Sequence, residues 1–128
     1  MIGYTMVGTK DIKNSGSFFD KVLGILGAKR TMDYENFIVW NITPDQPSFS
    51  VCLPYDGKDA SVGNGVMTAF NAMSPDQVND VYNCALENGG TDEGAPGERT
   101  TPGFYIAYFR DPDGNKFAVF NYSGNFES

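Results

Sequence analysis

A chain of 128 residues with 15 glycines, 14% aromatic residues and a formal net charge of −7 fits one soluble globular domain with a sizeable core. Its 9 basic residues form no patch among 16 acidic ones, which argues against nucleic acid and membrane surfaces as partners. No apolar run approaches transmembrane length and no secretory signal opens the chain, so Cys52 and Cys84 are expected to stay reduced and the location to be cytoplasmic.

In chain order, residues 2–8 read as a strand. Asp11 is placed to cap a helix whose apolar face carries Ile12, Phe19, Val22, Leu23 and Leu26 at helical spacing, and Gly27 stops it. Residues 28–34, 36–42 and 48–53 follow as three strands, with turns marked by Asn36 and by Pro44 to Pro47. A Gly-bearing loop leads to a fifth strand, residues 66–72. Ser74 then caps a second helix with Pro75 at its first position, a favoured arrangement because proline has no N–H to leave unpaired there. Val78, Val81, Tyr82, Ala85 and Leu86 form its apolar face, and Asn88-Gly89-Gly90 ends it. Residues 91–103 are rich in Gly and Pro and fill the slot of one strand and part of a loop. Residues 104–111 and 116–122 are strands joined by Pro112-Asp113-Gly114, which suits a three-residue hairpin loop with Gly114 in the left-handed conformation.

The chain is written twice. At an offset of 63, Tyr4 falls on Met67, Asp11 on Ser74, Phe18 on Val81, Leu23 on Leu86 and Gly27 on Gly90. Each copy is β-α-β-β-β: residues 1–54, a linker over 55–64, and residues 65–128. A duplicated unit implies pseudo-two-fold symmetry, with equivalent positions facing one another.

Strand alternation divides the side chains between two faces. Val7, Val39, Phe49, Val51, Leu53, Phe70, Ala107, Phe109, Phe117 and Val119 are expected against the helices. The opposite face is expected to carry Tyr4, Met6, Ile38, Trp40, Ser50, Cys52, Met67, Ala69, Asn71, Ile106, Tyr108, Ala118 and Phe120. It too is largely apolar, so it needs a second cover: a ligand, a partner or its own curvature.

The run from Phe104 to Phe117, with Asp111-Pro112-Asp113-Gly114 at its turn, resembles the terminal hairpin of the vicinal oxygen chelate superfamily, which contains glyoxalase I, bleomycin-resistance proteins and extradiol dioxygenases. The opening from Ile2 to Asp11 resembles its first strand and helix cap, and Asn64 to Phe70 the start of its second module. Gly89 to Gly97 resembles a loop of its bacterial glyoxalase-like members. The resemblance covers essentially the whole chain. It implies an α+β fold in which two β-α-β-β-β modules form a curled mixed sheet, an incomplete barrel or cup, with a helix from each module on the outer face. It also implies a homodimer, since many members lend a module or helix across an interface.

Metal enzymes of that superfamily place ligands on the first and last strands of each module. The matching positions here are Tyr4, Ser50, Met67 and Ala118. None offers the imidazole, thiolate or carboxylate that such ions want, and the chain has no histidine, so no family-style metal and no cofactor are expected. Asp111, Asp113 and Asn115 have the spacing that opens a calcium loop. Lys116 stands where that loop needs glycine and Tyr122 where it needs glutamate, so the hairpin reading prevails. Cys52 has no base to activate it and reads as a lining residue. Gly89 to Gly97 reads as a lip over the cup, from which Glu98, Arg99 and Thr100 reach toward a ligand. Trp40 and Tyr108 are expected at equivalent inward positions, either as stacked core aromatics or as two aromatic walls.

The function these observations imply is binding of a small hydrophobic or aromatic molecule, as in bleomycin-resistance proteins. The contacts would come from Tyr4, Met6, Trp40, Ser50, Cys52, Met67, Ala69, Asn71, Tyr108, Ala118 and Phe120. The alternatives are a lyase or isomerase of lactoylglutathione lyase type using Tyr4 or Glu98 as acid/base group, and a module whose cup is closed by self-association.

Overall fold

The computed structural model describes residues 1–124; residues 125–128, assigned above to the second module, lie outside them. Ten elements follow one another: β1 (Tyr4–Gly8), α1 (Ile12–Ile25), β2 (Lys29–Asp33), β3 (Phe37–Asn41), β4 (Ser48–Cys52), β5 (Thr68–Asn71), α2 (Pro75–Glu87), β6 (Thr91–Glu98), β7 (Phe104–Arg110) and β8 (Lys116–Tyr122). This is β-α-β-β-β twice, as the repeat predicts.

Both helices begin on the expected caps. The Asp11 carboxylate accepts from the Asn14 N–H at 3.1 Å, and the Ser74 hydroxyl from the Gln77 N–H at 3.1 Å, satisfying amides that a helix start leaves unpaired. The Gln77 side chain works at both ends. Its carbonyl accepts from the Met73 N–H at 2.7 Å, and its amide donates to the Ile25 carbonyl at 3.0 Å, tying the start of α2 to the end of α1. Gly27, at φ 89°, turns the chain out of α1 where a side chain would be strained.

The strands form two four-stranded mixed sheets, ordered β1-β4-β3-β2 and β5-β8-β7-β6, and they are not closed into a barrel. In each, the outer first strand runs parallel to the last strand of its module and the other pairs are antiparallel. The repeat holds at the level of register. Thr5 lies opposite Phe49 and Met6 opposite Ser50; 63 residues later, Thr68 lies opposite Phe117 and Ala69 opposite Ala118.

One core serves both modules. Phe19 of α1 meets Phe49 of the first sheet at 4.8 Å and Phe117 of the second at 5.3 Å, and Phe49 and Phe117 meet each other at 5.6 Å. Val22, Leu23, Val51, Val78, Val81, Phe109 and Val119 are among its other members. Each such side chain removed from water contributes roughly 1.5–3 kcal/mol, which is what holds the two sheets in one unit.

Three expectations are corrected. The face assignment of β3 is inverted: Ile38 and Trp40 are buried in the core, at 3% and 1% exposure, while Val39 pairs with Ser50 on the far face. Leu53 lies beyond the end of β4 and is exposed rather than packed on the helices. Residues 91–98 form the one strand expected within 91–103, β6, so the stretch from Gly89 to Gly97 read as a lip over the cup is largely strand; β6 pairs with β7 through two register shifts, between Asp92 and Gly94 and between Gly94 and Gly97. Glycines there let the backbone bulge without a side chain to accommodate. Among the described residues, no helix is long and apolar enough to cross a membrane.

Candidate functional site

Each sheet turns one face to the helices and leaves the other, here called concave, uncovered by helix. Phe49 and Val51 point into the core, so Ser50 and Cys52 point away from it, and Tyr4, Met6 and Val39 join them by register. Tyr4 is 67% and Met6 44% exposed. Ser50 is fully buried; its hydroxyl donates to the Thr5 carbonyl at 2.7 Å. On the second sheet, Ala69, Asn71, Ile106, Tyr108, Ala118 and Phe120 share the corresponding face, with Met67 just ahead of β5.

These sequence-predicted residues lie on two separate sheets. A cavity of 720 Å³ opens at the seam between the modules, walled by Leu23, Leu26 and Phe49 on one side and Phe70 and Gln77 on the other. It gathers Trp40, Met67, Ala69 and Asn71, but not Tyr4, Met6, Ser50, Cys52, Tyr108, Ala118 or Phe120. Trp40 reaches that cavity from the core side. Its indole N–H donates to Asp20 of α1 at 2.9 Å, so it is not the concave-face counterpart of Tyr108. Its counterpart is Phe109, which pairs with Phe117 as Trp40 pairs with Phe49.

The positions matched to metal ligands do not fit a metal. Ala118 has no donor atom, the Ser50 hydroxyl is committed to a backbone carbonyl, Met67 offers only a thioether, and Tyr4 is a surface phenol. Among the described residues no three of His, Cys, Asp and Glu converge.

Acid/base candidates are also displaced. Glu98 stands opposite Tyr105, whose hydroxyl reaches Asn79 of α2 at 2.7 Å, so Glu98 lies on the helix side of its sheet and not over the concave face. Burial pushes the Cys52 thiol above its ordinary range, which keeps it protonated and a poor nucleophile.

A cluster that alternation alone underrated stands around Tyr108. The Arg99 guanidinium and the Lys116 ammonium each lie 5.3 Å from the centre of its ring. Arg99 is held by hydrogen bonds from Nη1 to the Ile106 carbonyl at 2.6 Å and from Nη2 to the Ala95 carbonyl. Arg110, on the same face, is paired with Glu93 at 2.6 Å. Lys116 was legible in principle, because it alternates with Ala118 and Phe120 on β8. The bulged path of β6, which delivers Arg99, was not.

Comparison with known proteins places this geometry. The family model for the Glyoxalase/Bleomycin resistance protein/Dioxygenase superfamily matches residues 1–119. A glyoxalase/bleomycin resistance protein from Albidiferax ferrireducens T118 is 35% identical, superposes with a TM-score of 0.87, and is aligned over 94% of this chain and 98% of its own. A glyoxalase/bleomycin resistance protein/dioxygenase family enzyme from Burkholderia phytofirmans PsJN, 19% identical, shares the fold at a TM-score of 0.71 over 93% of this chain and 96% of its own. A glyoxalase-related enzyme from Fulvimarina pelagi does so at 16% identity and 0.73, over 94% and 87%. No protein of curated function matches. With the repeat, the paired mixed sheets and a family match over nearly its whole length, the chain belongs to the glyoxalase/bleomycin resistance protein/dioxygenase superfamily.

Proposed function

We propose that this protein binds a small hydrophobic or aromatic molecule on the concave faces of its sheets, without a family-style metal and without a cofactor. The observation that carries the reading is chemical. Tyr4 and Met6 on the first sheet's edge, and Met67 and Ala69 at and just ahead of the second sheet's edge strand, stand at equivalent positions of the repeat; all four are exposed apolar or aromatic groups, and Tyr4 and Met67 occupy positions matched to metal ligands in the family's metal enzymes. Such surface gains from an apolar ligand and has nothing to hold a cation with.

The proposal includes a homodimer. Exposure of Tyr4, Met6 and Met67 on faces that belong to separate sheets is what a second copy would relieve, by setting the concave face of one chain against that of another. A cytoplasmic location is also part of it, supported by two unpaired cysteines.

The test is a thermal-shift screen of neutral aromatic compounds against the metal-free protein, together with its mass in solution by light scattering. Stabilisation that is lost in Met6→Asp and Met67→Asp variants, in a particle of twice the chain mass, is the expected result. No stabilisation by any compound, or stabilisation only after a transition metal is added, overturns the reading.

A further inference from the structure

We infer that the ligand of the concave face carries a negative charge, a carboxylate or similar anion on an apolar body, and that Lys116 and Arg99 receive it beside Tyr108. This rests on the binding reading above and adds a charge to it.

The distribution of cations in an acidic chain carries the inference. The second module, residues 65–128, has only three basic residues, Arg99, Arg110 and Lys116. All three lie on its concave face: Arg110 and Lys116 are cross-strand partners on the side of Tyr108, and Arg99 lies over the Tyr108 ring. The carboxylates of that module go elsewhere. Asp92 accepts from Tyr82 of α2, Glu98 is on the helix side, and Asp111 and Asp113 are held in the β7–β8 turn. Among the described residues Glu93 is the carboxylate shown on this face, and Arg110 takes it. Among the described residues, neither Arg99 nor Lys116 forms an ion pair, so the module concentrates two uncompensated cations on one face of a body whose net charge is negative.

Geometry points the same way. Arg99 on the β6 side and Lys116 on the β8 side each stand 5.3 Å from the centre of the Tyr108 ring, so an anion bound at that ring is attracted by both charges. Arg99 is pre-set by its two carbonyl partners, so little side-chain freedom is lost when a ligand arrives. Beneath the charges the floor is apolar: Ile106 and Ala118 are buried, and Phe120 is half-buried beside them. The apolar surface still open to a ligand there is that of Phe120 and the Tyr108 ring, both half-buried, and a flat hydrocarbon body would lie against them with its anionic group toward Lys116. Net charge alone would suggest a preference for cationic ligands, and the local arrangement reverses it.

The experiment is calorimetric titration of the full chain with 2-naphthoate and with its neutral analogue 2-naphthalenemethanol. Both probes are run on the wild type, on Lys116→Met, Lys116→Arg, and on Lys58→Met as a control in the linker. The expected result has naphthoate binding more tightly than the alcohol, with Kd rising about tenfold in Lys116→Met and staying within about threefold in Lys116→Arg, the size of one lost charge-assisted contact. Added salt should weaken naphthoate and leave the alcohol unchanged. If the alcohol binds as tightly as naphthoate, or if Lys116→Met leaves the naphthoate Kd unaltered, the charge assignment is wrong and the apolar binding reading stands. If neither probe binds and no neutral aromatic stabilises the protein, both fall together. Met keeps the length and stem of Lys116, and equal unfolding midpoints for the variants establish that the fold is intact.

Discussion

The Thr9 hydroxyl donates to the Asp113 carboxylate across 2.6 Å, joining two residues 104 positions apart. The same carboxylate accepts from the Lys10 N–H at 2.9 Å, and Asn115 donates to the Gly8 carbonyl at 2.9 Å. The β7–β8 turn of the second module is thus stitched to the point where β1 of the first hands over to α1. Thr9 is 1% exposed, so these bonds are shielded from competing water.

Asp113→Ala removes two of those contacts at once and leaves the Thr9 hydroxyl without its carboxylate partner. The expected cost is about 2 kcal/mol, since hydrogen bonds to a charged group exceed neutral ones. Urea unfolding followed by circular dichroism should show a lower midpoint with an unchanged slope. A midpoint equal to wild type would mean that the turn contributes no stability to the module junction.

Asp111 makes the stability depend on pH. Burial pushes its carboxyl up to about 6 from an ordinary value of 3.8, and the amide donors of Asn115 and Asp113 only partly oppose the shift. A carboxyl whose folded value is raised favours the protonated native state. Its stabilising contribution is therefore complete below about pH 4 and is lost as pH rises through 6, a change of at most about 3 kcal/mol. Unfolding free energies measured between pH 4 and 7.5 should show this slope in the wild type, and Asp111→Asn, which cannot titrate, should flatten it.

Trp40 tests the inverted face of β3. The ring stacks on Phe49 at 6.2 Å and tilts against Phe19 at 5.8 Å, and its N–H shares Asp20 with Arg30, whose guanidinium grips the carboxylate through two bonds of 2.8 Å. Trp40→Ala is expected to cost about 3–5 kcal/mol, as a large core truncation does. Trp40→Phe keeps the packing and drops one bond to a carboxylate, for about 1–2 kcal/mol. Near-equal stability of Trp40→Ala and wild type would return the side chain to the surface.

That strand also shows what the sequence could and could not convey. β1, β4, β5 and β8 were legible because each alternates or repeats: Phe49 and Val51 differ in polarity from Ser50 and Cys52, and Thr5 with Met6 recurs as Thr68 with Ala69. Helix starts were legible because Asp11 and Ser74-Pro75 have one local use. The first four residues of β3, Phe37-Ile38-Val39-Trp40, are all apolar, so period two has no phase to reveal there. Its phase comes from register with β4, a long-range fact. The cup residues of each sheet were mostly named correctly as sharing a face, but whether two faces meet depends on how the sheets are set about the common core. Strand alternation says nothing of that. Arg99 was legible as a residue reaching toward a ligand, but its place over Tyr108 was not, because two register shifts in β6 set it.

Gly94 stands at the first of those shifts. A Cβ added there would sit 2.9 Å from Cδ2 of Tyr108 and 3.4 Å from Nη2 of Arg99. Close approach of backbone to ring is what lets Arg99 lie over Tyr108 while still bonding to Ala95 and Ile106. Gly94→Ala therefore has to displace either the ring or the guanidinium. Overpacking of this kind costs about 1–3 kcal/mol. The more telling consequence is local. Pushing the Tyr108 ring toward Lys116 spoils the geometry that sets two cations around it, so naphthoate affinity should fall several-fold while the neutral alcohol is affected less. Calorimetry on Gly94→Ala beside Gly97→Ala is the decisive pair, because a Cβ at Gly97 meets nothing within 4 Å. Equal naphthoate affinity in the two variants would show that the close packing of β6 on Tyr108 is not what positions the charges.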